Sequence, residues 1–187
     1  ATRCLAGHFG LPDDDIAPLA GGFDALAAAV GALPQVLIHR DFQSANLLLH
    51  DGRVRPVDFQ RLRLGPVAYD LASLVWDPYV DVPTAARQRL VARFAAAKEL
   101  APDTAAAMTT LCGLQRVMQA LGAYGFLGHV KGRTGFLVHV PGAWNRLRAL
   151  LAEAATLRAA GDPAVVDLGV PDLSRLAALV AAHDPAA

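Results

Sequence analysis

Two short stretches of the chain place oxygen-bearing side chains where phosphoryl transfer would need them. His39-Arg40-Asp41-Phe42-Gln43-Ser44-Ala45-Asn46 fits H-R-D-x-x-x-x-N, in which the aspartate takes a proton from a hydroxyl nucleophile and the asparagine binds Mg²⁺. An Asp and an Asn five residues apart on a bent loop can face one cavity, one toward the nucleophile and the other toward a metal. The second stretch is Asp58-Phe59-Gln60, seventeen residues beyond Asp41. An aspartate there adds a second oxygen ligand from a different loop. Such a pair suits Mg²⁺, which keeps several waters and borrows phosphate oxygens.

Elements of fixed length must hold these residues. Val36-Leu37-Ile38 is a short apolar run that ends at His39. Leu47-Leu48-Leu49 is another, beginning directly after Asn46. The Asp51-Gly52 pair is a hairpin signal, so 47–57 reads as a β-hairpin whose second arm delivers Asp58. Pro56 belongs at a strand end or an edge. Beyond residue 67 the pattern is helical, with helices expected over 67–77, 83–100, 103–129, 142–159 and 172–182. Asp103 or Thr104 is the expected cap of the long third helix, and 130–141 is expected to be a loop. Upstream, 1–10 reads as a helix closed by Gly10 and Pro12, and 23–32 as a short helix ended by Pro34. Asp13, Asp14 and Asp15 read as charge at a helix N-terminus. The fold class is therefore α+β: mostly helical, with a small β-hairpin.

Composition excludes several classes. The 187 residues carry 17 basic and 17 acidic side chains, which argues against a nucleic-acid partner held by bulk charge. Mean hydropathy is +0.34, but alanine supplies much of it. Asp24, Asp70 and Asp77 interrupt the apolar stretches, so no membrane span is expected. Two cysteines, Cys4 and Cys112, make neither a disulfide framework nor a metal-ligand pattern. A reducing compartment, the cytoplasm, is the expectation. No A-P-E follows Asp58, so a platform for a polypeptide substrate is missing.

HRDFQSANLLL and VDFQRLRLGPVAYDLASLVWDP together resemble the aminoglycoside phosphotransferase and choline kinase superfamily, which has a protein-kinase-like fold. Within it the chain most resembles the anomeric sugar kinases acting on N-acetylmuramate and N-acetylglucosamine. The stretch LQRVMQALGAYGFLGHVKGRTGFLVHVPGAW, 114–144, carries the same likeness, which is strong over about 36–144. The resemblance implies Asp41 as catalytic base and Asn46 and Asp58 as Mg²⁺ ligands. His39 would hold the loop by hydrogen bonds, and Asp70 would brace it from a helix start. ATP would be the co-substrate and an amino sugar, phosphorylated at its anomeric hydroxyl, the acceptor. An aminoglycoside- or choline-type acceptor, or a truncated non-catalytic lobe that only binds, are the alternatives. The family also has an N-terminal lobe with a nucleotide-covering loop. Neither GxGxxG nor GxxxxGK[ST] occurs here, and only about 38 residues precede the catalytic loop. Residues 1–187 are therefore expected to be the C-terminal lobe alone. The missing lobe would be its partner, and the face turned toward that lobe is expected to be apolar.

Other residues keep two readings at this point. Arg116, on the helix that would line the acceptor pocket, is a substrate-binding arginine or an ion-pair arginine. Gln60, where the family has glycine, faces the acceptor or caps a turn. Arg40 pairs with a carboxylate or faces solvent. Arg53, Arg55, Arg61 and Arg63 steer an acidic ligand or guard an exposed hairpin edge. Trp76, Tyr79, Trp144 and Cys112 read as core.

Overall fold

The computed structural model describes residues 2–183. The chain begins with three helices, α1 (Thr2–Phe9), α2 (Asp13–Ile16) and α3 (Ala20–Ala32). Four short strands follow: β1 (Gln35–Ile38), β2 (Leu47–His50), β3 (Arg53–Pro56) and β4 (Arg63–Pro66). The remainder is helical: α4 (Tyr69–Val75), α5 (Thr84–Lys98), α6 (Pro102–Gly125), α7 (Val140–Ala160), α8 (Pro163–Val166) and α9 (Ser174–Ala182). The aspartates at 13–15 do occupy the first turn of a helix, where their charge opposes the positive end of its dipole.

The strands form two separate antiparallel pairs. In one, β2 and β3 run from Leu47 opposite Pro56 to His50 opposite Arg53. The two residues between them, Asp51 and Gly52, both have positive φ, 51° and 69°, as a tight turn matched to strand twist requires. Pro56 closes its strand, as its missing N–H demands. The other pair was not expected from the sequence. β1 pairs with β4, from Gln35 opposite Pro66 to Ile38 opposite Arg63. This pairing closes a loop over the whole hairpin and draws the segments before His39 and after Asp58 together. Gly65 is needed here, because a Cβ would overlap the Ile38 side chain.

Helix α6 is the axis of the molecule. It is buried on nearly all sides, the mark of a helix enclosed by others rather than laid on a surface. It packs against α1, α3, α4, α5, α7 and α8. Close approach comes from small residues: a Cβ on Gly113 would stand 2.9 Å from both Leu150 Cδ2 of α7 and Trp76 Cδ1. Leu111, Leu114, Leu121, Trp144, Leu147 and Leu150 fill the space between helices. Cys4 and Cys112 are fully buried free thiols.

Several expectations need correction. The long helix is capped by neither Asp103 nor Thr104. Its N-cap is Ala101, with Pro102 in the first turn, where a missing N–H loses nothing. It ends as an α-helix at Gly125 and continues as a π-turn over Phe126–Val130. The expected loop at 130–141 contains a 3₁₀ segment, Thr134–His139. Tyr79 is exposed, whereas Trp76 and Trp144 are core. The stretch Asp13–Ala32 has a mean hydropathy of 1.2 and the length to cross a membrane. Its four aspartates and Pro18 interrupt it, and Leu19, Leu26, Ala29 and Val30 join the core.

Candidate active site

The loop 39–46 leaves β1 and enters β2, and two carboxylates fix its course. Asp70, in the first turn of α4, accepts the backbone N–H of His39 at 2.6 Å and of Arg40 at 3.0 Å. The second bond supports an Arg40 backbone with φ of 77°, a left-handed conformation that costs about 1 kcal/mol or more in a residue with Cβ. Asp77, just beyond α4, accepts the N–H of Ser44 at 2.5 Å and of Tyr79 at 2.8 Å. It is 1% exposed, and a carboxylate that deep is retained only when its oxygens are hydrogen-bonded. Sequence reasoning passed over Asp77 except as an interruption of an apolar run. Its signal was its spacing: seven residues after Asp70, two helical turns, both acids face the same loop.

Within the loop, Asn46 Nδ2 donates to the Asp41 carbonyl at 2.8 Å. That fixes the amide's orientation and leaves Oδ1 as the outward acceptor. The Asp41 carboxylate lies 3.6 Å from Arg116 Nη2, and the same Nη2 donates to Gln43 Oε1 at 3.1 Å. The two side chains are 37% and 15% exposed, respectively, so the pair is partly sheltered and less screened than a surface ion pair. Arg116 Nε is buried without a partner among the described residues. The structure thus places Arg116 against Asp41, the predicted base.

Asp58 reaches the same region through the hairpin. The N–H of Val57 donates to the Asn46 carbonyl at 2.9 Å, and His39 Nε2 donates to the Val57 carbonyl at 2.9 Å. His39 thus ties the start of the loop to the end of the hairpin, and its Nδ1 is buried without a partner among the described residues. Asp58 takes a left-handed backbone, φ 67°, and its Oδ1 accepts from Gln60 Nε2. Gln60 thus contacts the Asp58 carboxylate, and both side chains are exposed. Asn46 and Asp58 flank the hydrogen-bonded base of one hairpin, while Asp41 and Arg116 meet on its α6 side.

The donor set bears on a metal. Asn46 Oδ1 and the Asp58 carboxylate are hard oxygen donors, the kind Mg²⁺ takes. Among the described residues no three His, Cys, Asp or Glu side chains converge. A cation here would draw its remaining ligands from water and phosphate, which suits Mg²⁺ better than a metal needing an all-protein cage.

Tyr69 extends the site from α4. Its hydroxyl donates to Gln119 Oε1 at 2.8 Å. Burial pushes its phenol above the ordinary value, against the opposing pull of Arg116, so it stays a donor. Tyr124 is likewise raised, chiefly by burial. A cavity of about 570 Å³ lies between α5, α6 and α7 beside Trp76, Arg87 and Glu153. None of the predicted site residues lines it. A smaller cavity, about 210 Å³, is lined by Arg40, Arg63, Tyr69, Gln115 and Gln119 and so adjoins the loop.

The chain matches the model of the phosphotransferase enzyme family over residues 5–109, a stretch that holds the loop, the hairpin, Asp58, Asp70 and Asp77. The chain belongs to this family. It is 32% identical over 141 residues to an N-acetylmuramate/N-acetylglucosamine kinase of Neisseria meningitidis, covering 72% of this chain and 42% of the relative. Against the protein of the same name from Pseudomonas aeruginosa the identity is 28% over 167 residues, 84% of this chain and 49% of the relative. A Pseudomonas putida protein, also so named, is 29% identical over 117 residues, 59% of this chain and 34% of the relative. The chain spans less than half the length of these relatives.

Proposed function

We propose that the chain is the C-terminal, protein-kinase-like lobe of a small-molecule kinase that transfers a phosphoryl group from ATP to a hydroxyl of an amino sugar, at the anomeric position. The observation that carries this reading is the clamped loop: Asp70 and Asp77 grip it, and it presents Asp41 against Arg116. Asp41 accepts the proton of the attacking hydroxyl as its oxygen bonds to the γ-phosphorus and the bond to the leaving β-phosphate oxygen breaks. General-base help of this kind is worth about 10²–10⁴ in rate. Arg116 orients the carboxylate. Asn46 and Asp58 would hold Mg²⁺, which when bound neutralises charge on the phosphates. The names of the relatives support the sugar.

The same reading gives a use to an exposed apolar surface. Leu37 and Leu64 are register partners on β1 and β4, Leu49 and Val54 on β2 and β3, and all four are exposed, as are Leu48 and Phe59. Exposed apolar side chains of this kind suit a covering partner, and a nucleotide-binding lobe would cover those on the face turned toward it. The buried free cysteines suit a cytoplasmic setting.

The test, on a protein that carries both this lobe and its nucleotide-binding lobe, is phosphate-ester formation, read by ³¹P NMR, from Mg²⁺·ATP and N-acetylmuramate, N-acetylglucosamine, an aminoglycoside or choline. The expected result is a sugar 1-phosphate, with kcat reduced at least about 10²-fold in Asp41→Asn and nucleotide binding retained. Equal turnover by Asp41→Asn would remove the base. Phosphorylation of only the cationic acceptors would replace the sugar. Nucleotide binding without turnover of any acceptor would leave a binding module.

A further inference from the structure

We infer that the cavity between α3, the β1–β4 pair and α6 is an anion site, built to take the carboxylate or phosphate of a small polyhydroxylated ligand through Arg40 and Arg63. The inference deepens the proposed function, on which its choice of sugar probes rests. It commits the ligand to the acidic members of that substrate class.

The cavity is small, about 210 Å³, and its lining is rich in donors. Arg40 comes from the loop and Arg63 from the first position of β4, opposite Ile38. Gln115 and Gln119 stand one helical turn apart on α6, so both face the same space. Gln35 enters from β1. Its Nε2 is committed to the Leu33 carbonyl at 2.7 Å, which leaves its oxygen for a ligand hydroxyl. Gln119 shows the reverse. Its oxygen accepts from Tyr69, which leaves its Nε2 as a donor.

Charge decides what such a cavity takes. No aspartate or glutamate lines it. The nearest acids by sequence are already engaged: Asp70 holds two backbone N–H groups, Asp41 faces Arg116, and Asp58 accepts from Gln60 and does not line the cavity. Among the described residues neither Arg40 nor Arg63 forms an ion pair. Two arginines thus line one concave surface that no aspartate or glutamate lines. Guanidinium groups present several N–H donors in a planar fork matched to carboxylate and phosphate oxygens. Arg40 is held there by an unusual backbone, φ 77°, rather than by its own side-chain contacts. Arg40 also directly precedes Asp41, so a ligand anchored by its anionic group would lie beside the carboxylate proposed to activate a hydroxyl.

The test is calorimetric binding of three probes to the chain at low salt: N-acetylglucosamine, which is neutral; N-acetylmuramate, which adds a carboxylate; and N-acetylglucosamine 1-phosphate, which adds a phosphate. At least one acidic probe is expected to bind about tenfold tighter than the neutral sugar. Arg63→Gln, on an exposed strand position, is expected to remove most of that preference, and Arg40→Gln likewise, the loss corresponding to one charge-assisted hydrogen bond. Which acidic probe is preferred identifies the source of the anion, an acidic acceptor or a phosphorylated product. Circular dichroism and melting temperature confirm that each variant is folded. Equal affinity for all three sugars overturns the inference, as does an acidic preference that survives in both variants. Charge-dependent binding together with failure of every sugar to be phosphorylated would keep the anion site and reject the kinase reading.

Discussion

Replacing Asp77 separates a clamp from a filler. Its carboxylate accepts two backbone N–H groups, from Ser44 in the loop and from Tyr79 beyond α4. Alanine removes both acceptors. Each N–H left without a partner costs about 1–3 kcal/mol. The sum of about 2–6 kcal/mol is offset in part by relief of burying a charge, so a net loss of about 3 kcal/mol is expected. With an m-value of about 2 kcal/mol/M, the urea midpoint should fall by about 1.5 M. Asparagine is the sharper variant. It has nearly the same shape, so a residue that only fills space would tolerate it. Here it keeps one acceptor and turns an NH₂ group toward the other N–H, donor against donor, and should destabilise at least as much as alanine. The assay is equilibrium urea unfolding of wild type, Asp77→Ala, Asp77→Asn and, as control, Asp41→Asn, whose side chain is partly exposed and should shift the midpoint little. An Asp77→Asn midpoint within about 0.3 M of wild type, corresponding to about 0.6 kcal/mol, would refute the clamp.

Three further outcomes are expected. Asp58→Ala should abolish the Mg²⁺ dependence of nucleotide binding measured by calorimetry, and an unchanged dependence would reject Asp58 as a ligand. Gly113→Ala should destabilise the fold by about 1–3 kcal/mol in urea. The added methyl would meet Leu150 and the rigid Trp76 ring at 2.9 Å, which outweighs the roughly 1 kcal/mol that helix propensity returns; a stabilised variant would show that α6 and α7 have room to part. Burial raises the Glu153 carboxyl above its ordinary value, against the Thr110 hydroxyl bond. The folded state therefore binds that proton more tightly than the unfolded chain, and stability from this residue falls as pH rises from the unfolded value through the folded one. Glu153→Gln should flatten that fall in melting curves taken between pH 4 and 7, and an unaltered pH profile would contradict it.

The parts of the molecule legible in its sequence are those with local causes. The Asp-Gly turn fixes β2 and β3 by its own backbone preference, and the helices announce themselves through apolar spacing and prolines. The loop motif survived intact because its residues are contiguous. Non-local features escaped. Strand β4, Arg-Leu-Gly-Pro, has no alternating pattern and exists because β1 lies beside it, with Gln35 pairing Pro66 across more than two dozen intervening residues. Arg116 could be placed on a helix, but only the packing of α6 beneath the loop turns it toward Asp41. Tyr79 read as core because aromatics usually are, yet it lies outside α4 with its N–H on Asp77. Asp77 needed the recognition that two acids two turns apart can serve one loop.

The two thiols have a practical consequence. Both are enclosed in the core, and burial pushes Cys4 up to about 11 and Cys112 up to about 12. At neutral pH almost no thiolate exists at either, and the thiolate is the form that reacts with maleimides and iodoacetamides. The natural chain is therefore silent to such reagents while folded. A single cysteine placed at an exposed position such as Leu62 becomes a unique attachment point for a fluorophore or spin label. Movement of the Asp58 turn could then be followed in the otherwise unaltered chain, with the two native sulfurs left in place, and any slow labelling of those sulfurs would itself report the opening of the core.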